Sequence, residues 1–245
     1  MIANKITEDA RKNQLTVYLP DTRGVTVSRF GRGNLKIGAG VYTYSRLPGK
    51  YAGTCPGSSS MCEEICYAKR VVLEGGVVAD MWAENGFGYR AVALPDALPP
   101  DCRLLRLHIS GDFDTVEYVE GWTSLIRANP GVRVWAYTRS WRVPELLPSL
   151  ERLRALPNVQ LFASMDASIA ELPPTGWRVA WIDGDERCSR SLTDPFHQAA
   201  PYDARAAVQG RVGYVCPEET GRKRDCEACG YCFDGRLNDV VFLRH

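Results

Sequence analysis

The chain has 245 residues, 45% of them apolar, with a formal net charge of +1 and a pI near 7.5. That is enough chain to bury one large core, and the near-neutral balance argues against a role built on nonspecific phosphate contacts, which needs a strong basic excess. No apolar run approaches the roughly 18–20 residues of a membrane span, and the segment from Met1 to Asp9 has no apolar signal core, so a cytoplasmic protein with no membrane segment is expected.

In chain order, residues 1–34 read as an N-terminal extension and 35–245 as a single domain. Short apolar runs at 37–45, 104–110, 132–138, 159–164, 178–182, 211–215 and 240–243 read as strands, most of them apolar on both faces, as buried parallel strands are. Helical patterns lie between several of them. Residues 60–74 carry a capping box, Ser60 with Glu63. Residues 114–129 carry another, Asp114 with Glu117, and an apolar stripe of Val119, Trp122 and Ile126 that Asn129-Pro130-Gly131 stops. A third helix covers 144–156, with Leu146, Leu150 and Leu153 on one side and Pro148 in its first turns. This alternation predicts an α/β fold with parallel strands. The absence of a Gly-rich phosphate loop, and polar residues just after the strand ends, favour a TIM-like barrel, whole or partial, over a doubly wound sheet. A cysteine-rich loop follows near the C-terminus.

Nine cysteines in a chain without a secretion signal point to metal or redox chemistry rather than to disulfides. Seven of them form two groups. Cys55, Cys62 and Cys66 follow the first predicted strand with the spacing C-x6-C-x3-C. With Ser60 as N-cap, Cys62 falls at the second helical position and Cys66 one turn later on the same face, while Cys55 approaches from a Pro-Gly loop. A helix N-terminus lowers thiolate pKa and favours an anionic centre. Three thiolates without an obvious fourth match a cluster with one open iron; zinc completed by a distant ligand, and three merely buried cysteines, are the alternatives.

Cys226, Cys229 and Cys232 are separated by two residues each, with Cys216 as a fourth donor. That spacing is of the ferredoxin type, with zinc as the alternative ion there. The two groups form two centres, or neighbour or share one. Cys102 and Cys188 stand alone and read as small buried hydrophobes.

Polar residues recur after the strands. Alternation points His108, Ser110 and Asp112 to one side. Tyr137 to Ser140, Ser164 to Asp166, and Asp183 to Asp185 end later strands. Together these predict a pocket lined by His108, Ser110, Asp112 and Arg139, with Arg139 suited to a carboxylate or phosphate. Loop polarity, helix capping and a core histidine are the competing structural readings. Trp135, Trp141, Trp177 and Trp181 are assigned to the core. His197 and His245 have no supporting context, and Arg222-Lys223-Arg224 reads as a solvated basic loop. No nucleophile–base–acid set for hydrolysis is present.

The stretch 50–68, above all Thr54-Cys55-Pro56 and Cys66-Tyr67-Ala68, resembles the bacteriophage gene product 88 domain family, as do 107–113, 136–140, 162–166 and 215–232. The resemblance covers about Leu35 to Cys232 and implies phage origin and a metal cluster inside the host cell. More distantly, the chain is similar to radical-SAM-type barrels, in which three cysteines after the first strand hold a [4Fe–4S] cluster and S-adenosylmethionine (SAM) binds its open iron. In that comparison Ser110-Gly111-Asp112 stands where such enzymes contact the methionine amine, but C-x6-C-x3-C departs from their usual C-x3-C-x2-C. Three functions are therefore carried forward: a cluster enzyme acting on a small molecule, with SAM as candidate; a non-catalytic cluster protein that senses redox state or binds a host protein; and a zinc-stapled interaction module. Nucleic acid is not an expected partner, and oligomeric state is left open.

Overall fold

The computed structural model describes residues 30–49, 52–86, 94–191, 211–235 and 238–243. Residues 1–29 of the expected extension, Lys50, Tyr51, His197 and His245 lie outside them.

The strands belong to one sheet: β1 (Gly31–Arg32), β2 (Val41–Tyr44), β3 (Leu104–Leu107), β4 (Arg133–Thr138), β5 (Val159–Met165), β6 (Arg178–Ile182), β7 (Cys188–Ser191), β8 (Arg211–Val215) and β9 (Asp239–Phe242). Their order is β1-β2-β3-β4-β5-β6-β9-β8-β7. Only β1 pairs antiparallel; every other pairing is parallel. The expected strand–helix alternation is thus present, but as an open sheet: among the described residues β1 and β7 are free edges. The sequential winding of a barrel holds from β2 to β6 and then breaks, because the chain crosses to the far edge at β7 and returns through β8 to β9. β1 starts at Gly31, inside the segment expected to be an extension, and neither β1 nor β7 was expected.

Six helices accompany the sheet among the described residues: α1 (Ser60–Glu64), α2 (Tyr67–Glu74), α3 (Val77–Glu84), α4 (Val116–Arg127), α5 (Leu147–Arg154) and α6 (Cys226–Cys229). α4 starts at Thr115, whose hydroxyl accepts from the Tyr118 amide at 3.1 Å; the expected cap, Asp114, instead pairs with Arg46 at 2.7 Å. In α5, Pro148 occupies the first turn, where its missing N–H leaves no bond unmade.

Strand alternation sends side chains to two faces, and both are covered, as a parallel sheet requires. On one face Tyr44, Leu105, Leu107, Val134, Leu161, Val179 and Trp181 pack with Val119, Trp122 and Ile126 of α4 and Leu150 and Leu153 of α5. Arg46 is wholly buried beside this core, its guanidinium 4.5 Å from the centre of the Tyr118 ring. On the other face Val41, Leu104, Trp135, Phe162, Ala180 and Val240 are covered by Ile37 and by the cysteine-rich segment, through Cys216, Tyr231 and Phe233. Cys102, Cys188 and the four tryptophans assigned to the core are buried.

Trp122 is fully buried and meets Tyr44 edge-on at 5.0 Å between ring centroids. Trp122→Ala should cost about 3–5 kcal/mol in a chemical denaturation titration; a loss under about 1 kcal/mol would contradict the two-sided core.

Candidate thiolate centres at the sheet

The loop carrying Cys55 and Cys62 leaves the carboxyl end of β2 and lies against the ends of β4 and β5. Gly57 allows this approach: a Cβ there would collide with the Arg139 backbone carbonyl. Arg142 donates to the Gly57 carbonyl at 3.0 Å. Ser59, not Ser60, caps α1, its hydroxyl accepting from the Cys62 amide at 3.0 Å. The same hydroxyl donates to Asp166 at 2.6 Å, and Arg139 donates to that carboxylate oxygen at 2.9 Å. The end of β5 therefore fixes the start of the Cys62 helix through one buried carboxylate.

The expected single helix over 60–74 is two. Ile65 ends α1, and Cys66 has an extended backbone (φ −65°, ψ 102°) that caps α2. Cys62 is consequently the third helical residue rather than the second, and Cys66 stands at a junction rather than one turn along the same face. Cys55 Sγ accepts from the Gly49 amide at 3.3 Å.

Helix polarity does not govern these thiols. Burial pushes Cys55 up to about 12, with the nearby Asp112 charge adding to the rise. Burial also raises Cys62, against the opposing Arg139 charge. One turn of helix is too short a dipole to offset removal from water. Cys55 feels the charge of Cys62, and Cys62 that of Cys66, so the three thiols form one electrostatic group.

The second group belongs to the segment that covers the face of the sheet opposite α4 and α5. Asp225 caps α6 by accepting from the Ala228 amide at 2.7 Å, and Gly230 closes it in the left-handed region at φ 72°. Cys226, Cys229 and Cys232 thereby wrap around a single turn. Cys216 follows β8 directly, its amide donating to Val241 at 2.9 Å. Burial pushes Cys216 and Cys232 up to about 12 and raises Cys226. Cys216 and Cys232 each feel the Cys226 charge, and Cys226 feels that of Cys229. Ile109 packs against both the apolar cluster that Cys66 packs on and the one that Cys226 and Cys232 pack on.

The four expected pocket residues are not brought together as a free polar surface. His108 is enclosed by the core: its Nε2 lies 2.8 Å from the Tyr118 hydroxyl and its ring 4.8 Å from that of Phe113. Burial and the Arg46 charge lower it to about 3. Ser110 donates to the Arg46 carbonyl at 2.7 Å and its carbonyl accepts from the Arg46 amide at 2.9 Å, tying the β2 and β3 ends together. Asp112 accepts from the Thr138 hydroxyl at 2.6 Å and from the amides of Arg139 and Phe113, each at 2.8 Å. Burial still raises Asp112. Arg139 alone keeps a buried donor, Nε, without a hydrogen-bond partner.

Sequence reasoning missed Arg106, Trp135 and Arg178 as neighbours of the thiols. Arg178 is spent on the carbonyls of Asn238 (2.8 Å) and Tyr231 (3.3 Å) and on Gln160 (2.9 Å). Arg106 Nε and Trp135 Nε1 are buried donors without a partner. Two arginines inside apolar strands were the available signal. Among the described residues, no three His, Cys, Asp or Glu side chains converge closely enough to hold a single metal ion. Arg139 acts as a charge on Cys62 and Arg106 on Cys226, and each keeps a buried Nε without a hydrogen-bond partner.

The gene product 88 family model matches residues 88–235. The chain belongs to that family. The matched region contains the whole second cysteine group. A Gene 88 protein of Mycobacterium phage L5 is 27% identical over 252 residues, covering 94% of this chain and 94% of that protein. A Gene 88 protein of Mycobacterium phage D29 is 25% identical over 257 residues, with the same coverage of each. No solved structure matches. Among the described residues of this gene product 88 chain, no helix is long and apolar enough to cross a membrane.

His108 gives a test in acid. Folded, the imidazole stays neutral down to about pH 3; unfolded, it takes up a proton near its ordinary 6.5. The unfolded state binds more protons between those values, so stability falls as pH falls through that interval. His108→Gln should flatten this part of the stability–pH curve, measured by denaturation at successive pH values; an unchanged slope would contradict the burial.

Proposed function

We propose that this phage protein is an iron–sulfur protein, with Cys55, Cys62 and Cys66 as ligands of a [4Fe–4S] cluster that keeps one iron open, and Cys216, Cys226, Cys229 and Cys232 as ligands of a second centre. What supports this reading is that seven cysteines in two stretches of chain, 55–66 and 216–232, are held wholly or partly out of water, Cys216 buried and the other six half-buried, with Cys55 and Cys62, Cys62 and Cys66, Cys216 and Cys226, Cys226 and Cys229, and Cys226 and Cys232 each close enough to feel one another's charge. As thiolates they need a cation, and metal–thiolate binding supplies folding free energy. Around one tetrahedral ion, bonds of about 2.3 Å set sulfurs about 3.8 Å apart. The ligands of a four-iron cluster each bind their own iron and stand wider, so a cluster asks for a looser gathering of thiols than a single-ion site does.

Bound, such a cluster supplies one-electron chemistry and a coordination position at the iron without a protein ligand. The chain's own residues hold and enclose it. Arg139 offsets negative charge at Cys62, Asp166 and Ser59 orient α1, and the Gly57 loop seals the group against β4. In this reading the sheet is a barrel opened between β1 and β7, with the cysteine-rich segment lying on what would be the barrel interior.

SAM at the open iron is the catalytic form of this reading. It is favoured by one observation, the position of Cys55, Cys62 and Cys66 after the first parallel strand. The groups expected to hold the methionine amine are engaged within the protein, Ser110 with the Arg46 carbonyl and Asp112 with the Thr138 hydroxyl and the Arg139 amide. A non-catalytic form that binds a host protein draws on the exposed Ile65, Tyr67, Leu73, Val77 and Val78 around the first group.

Anaerobically purified full-length protein should contain iron and acid-labile sulfide. Cys62→Ser and Cys232→Ser should each remove part of the iron, and the double variant most of it. SAM cleavage after reduction would select the catalytic form. Stoichiometric zinc without sulfide, or no metal at all, would overturn the iron–sulfur reading.

A further inference from the structure

β3 reads Leu104-Leu105-Arg106-Leu107, and its three leucines are buried while Arg106 is partly exposed. The strand is interior, paired with β2 and β4, and Arg106 stands between Thr43 and Trp135. Alternation places its side chain with those of Leu104 and Trp135, on the face that the cysteine-rich segment covers. The Arg106 Nε is enclosed and has no hydrogen-bond partner. The exposed part is therefore the far end of the guanidinium, and the cover leaves open space in front of it.

Comparable arginines are spent within the protein. Arg46 pairs with Asp114 at 2.7 Å, Arg139 with Asp166 at 2.9 Å and Arg187 with Asp185 at 2.6 Å. Arg178 holds the carbonyls of Asn238 and Tyr231. Among the described residues none gives Arg106 an ion pair or a hydrogen bond. The acidic side chains of the covering segment are engaged elsewhere: Glu218 and Glu219 with Lys36, Asp225 with Arg224, Asp234 with Arg133, and Glu227 with the Gly40 amide. Trp135, directly beside Arg106, is fully buried, and its indole N–H also lacks an acceptor. Two neighbouring donors on one covered face, one of them charged, are costly without an acceptor, and an oxyanion relieves both. The planar guanidinium fork matches a carboxylate or a phosphate.

The rest of the space is aromatic. The Arg106 guanidinium stands 5.3 Å from the centre of the Tyr137 ring. Tyr137 is partly exposed and meets Phe242, also partly exposed, edge-on at 5.2 Å. This wall runs from Arg106 toward the carboxyl ends of the strands, where open parallel sheets take their ligands. A mostly apolar recess with a few polar groups is the usual make-up of a small-molecule site. We propose that Arg106 anchors the oxyanion end of a small organic acid, a carboxylate or a phosphate ester, between this face and the cysteine-rich segment, with Trp135 as second donor and the Tyr137–Phe242 wall against a flat, unsaturated body. The site needs no metal at either cysteine group, so it stands or falls apart from the iron–sulfur reading.

The test titrates the full-length, anaerobically purified chain by calorimetry with benzoate and with phenyl phosphate, and with benzyl alcohol as the uncharged counterpart. At least one acid should bind saturably, and the better of the two tells carboxylate from phosphate; benzyl alcohol should not bind. Arg106→Gln should weaken binding about tenfold or more, and Arg106→Lys, which keeps the charge but not the fork, should weaken it less. In the unaltered chain phenylglyoxal should modify Arg106, read by peptide mass spectrometry, and the bound acid should protect it, a measurement that needs no variant to fold. Failure of both acids to bind, equal binding of benzyl alcohol, or binding that neither protects Arg106 nor responds to Arg106→Gln would overturn the proposal. Iron and sulfide counts on the same preparation decide the iron–sulfur reading separately.

Discussion

Removal of thiols from water, complete at Cys216 and partial at the other six grouped cysteines, is the constraint on which the rest of the molecule turns. Sulfur is polarizable and sits readily in an apolar core, and Cys102 and Cys188 do that. The other seven cysteines are placed differently: in loops and single helical turns, in two sets, next to arginine, tyrosine and indole donors. Removal from water holds Cys55, Cys216 and Cys232 in the protonated form up to about 12. In the proposed reading a bound metal reverses that preference, because it replaces the lost hydration of the thiolate with a coordinate bond.

The sheet makes both sets. Parallel strands from β2 to β6 bring successive carboxyl ends to one edge, where the Cys55–Cys62 loop is held by Gly57, Arg142 and Asp166. The crossing to β7 and the return to β9 then bring the segment 216–235 back across the second face, where Tyr231 and Phe233 anchor it over Phe162 and Trp135. Without that return, Trp135 and Phe162 would face water and Cys216 would stand far from Cys232. Packing of the second face and assembly of the second thiol set are one event.

Much of this was legible from the amino acids. β6 and β8 match the expected strands residue for residue, since uninterrupted apolar runs bounded by turn residues leave little choice of period. The stripe Val119, Trp122, Ile126 located α4. What was hidden depends on long-range partners. The break between α1 and α2 arises because Cys66 adopts an extended backbone, which no propensity at Cys-Tyr announces. α3 follows Gly75-Gly76, both at positive φ, a pair that reads locally as a stop. The reversal of strand order after β6 is decided by which edge the returning chain can cover. His108, Ser110 and Asp112 lie after a strand end as expected, but the core and the neighbouring strand ends claim them, and polarity at a strand end does not reveal whether its partners are solvent or protein. Arg106, inside Leu-Leu-Arg-Leu, was the stronger signal: a charge in a strand covered on both faces needs a reason.

X-ray absorption at the iron edge of the anaerobically purified, full-length protein addresses the central claim most directly. The account predicts iron surrounded by sulfur, with a second shell of iron scatterers from a multi-iron cluster. Iron without that second shell, or a zinc edge with four sulfurs and no iron, would contradict it.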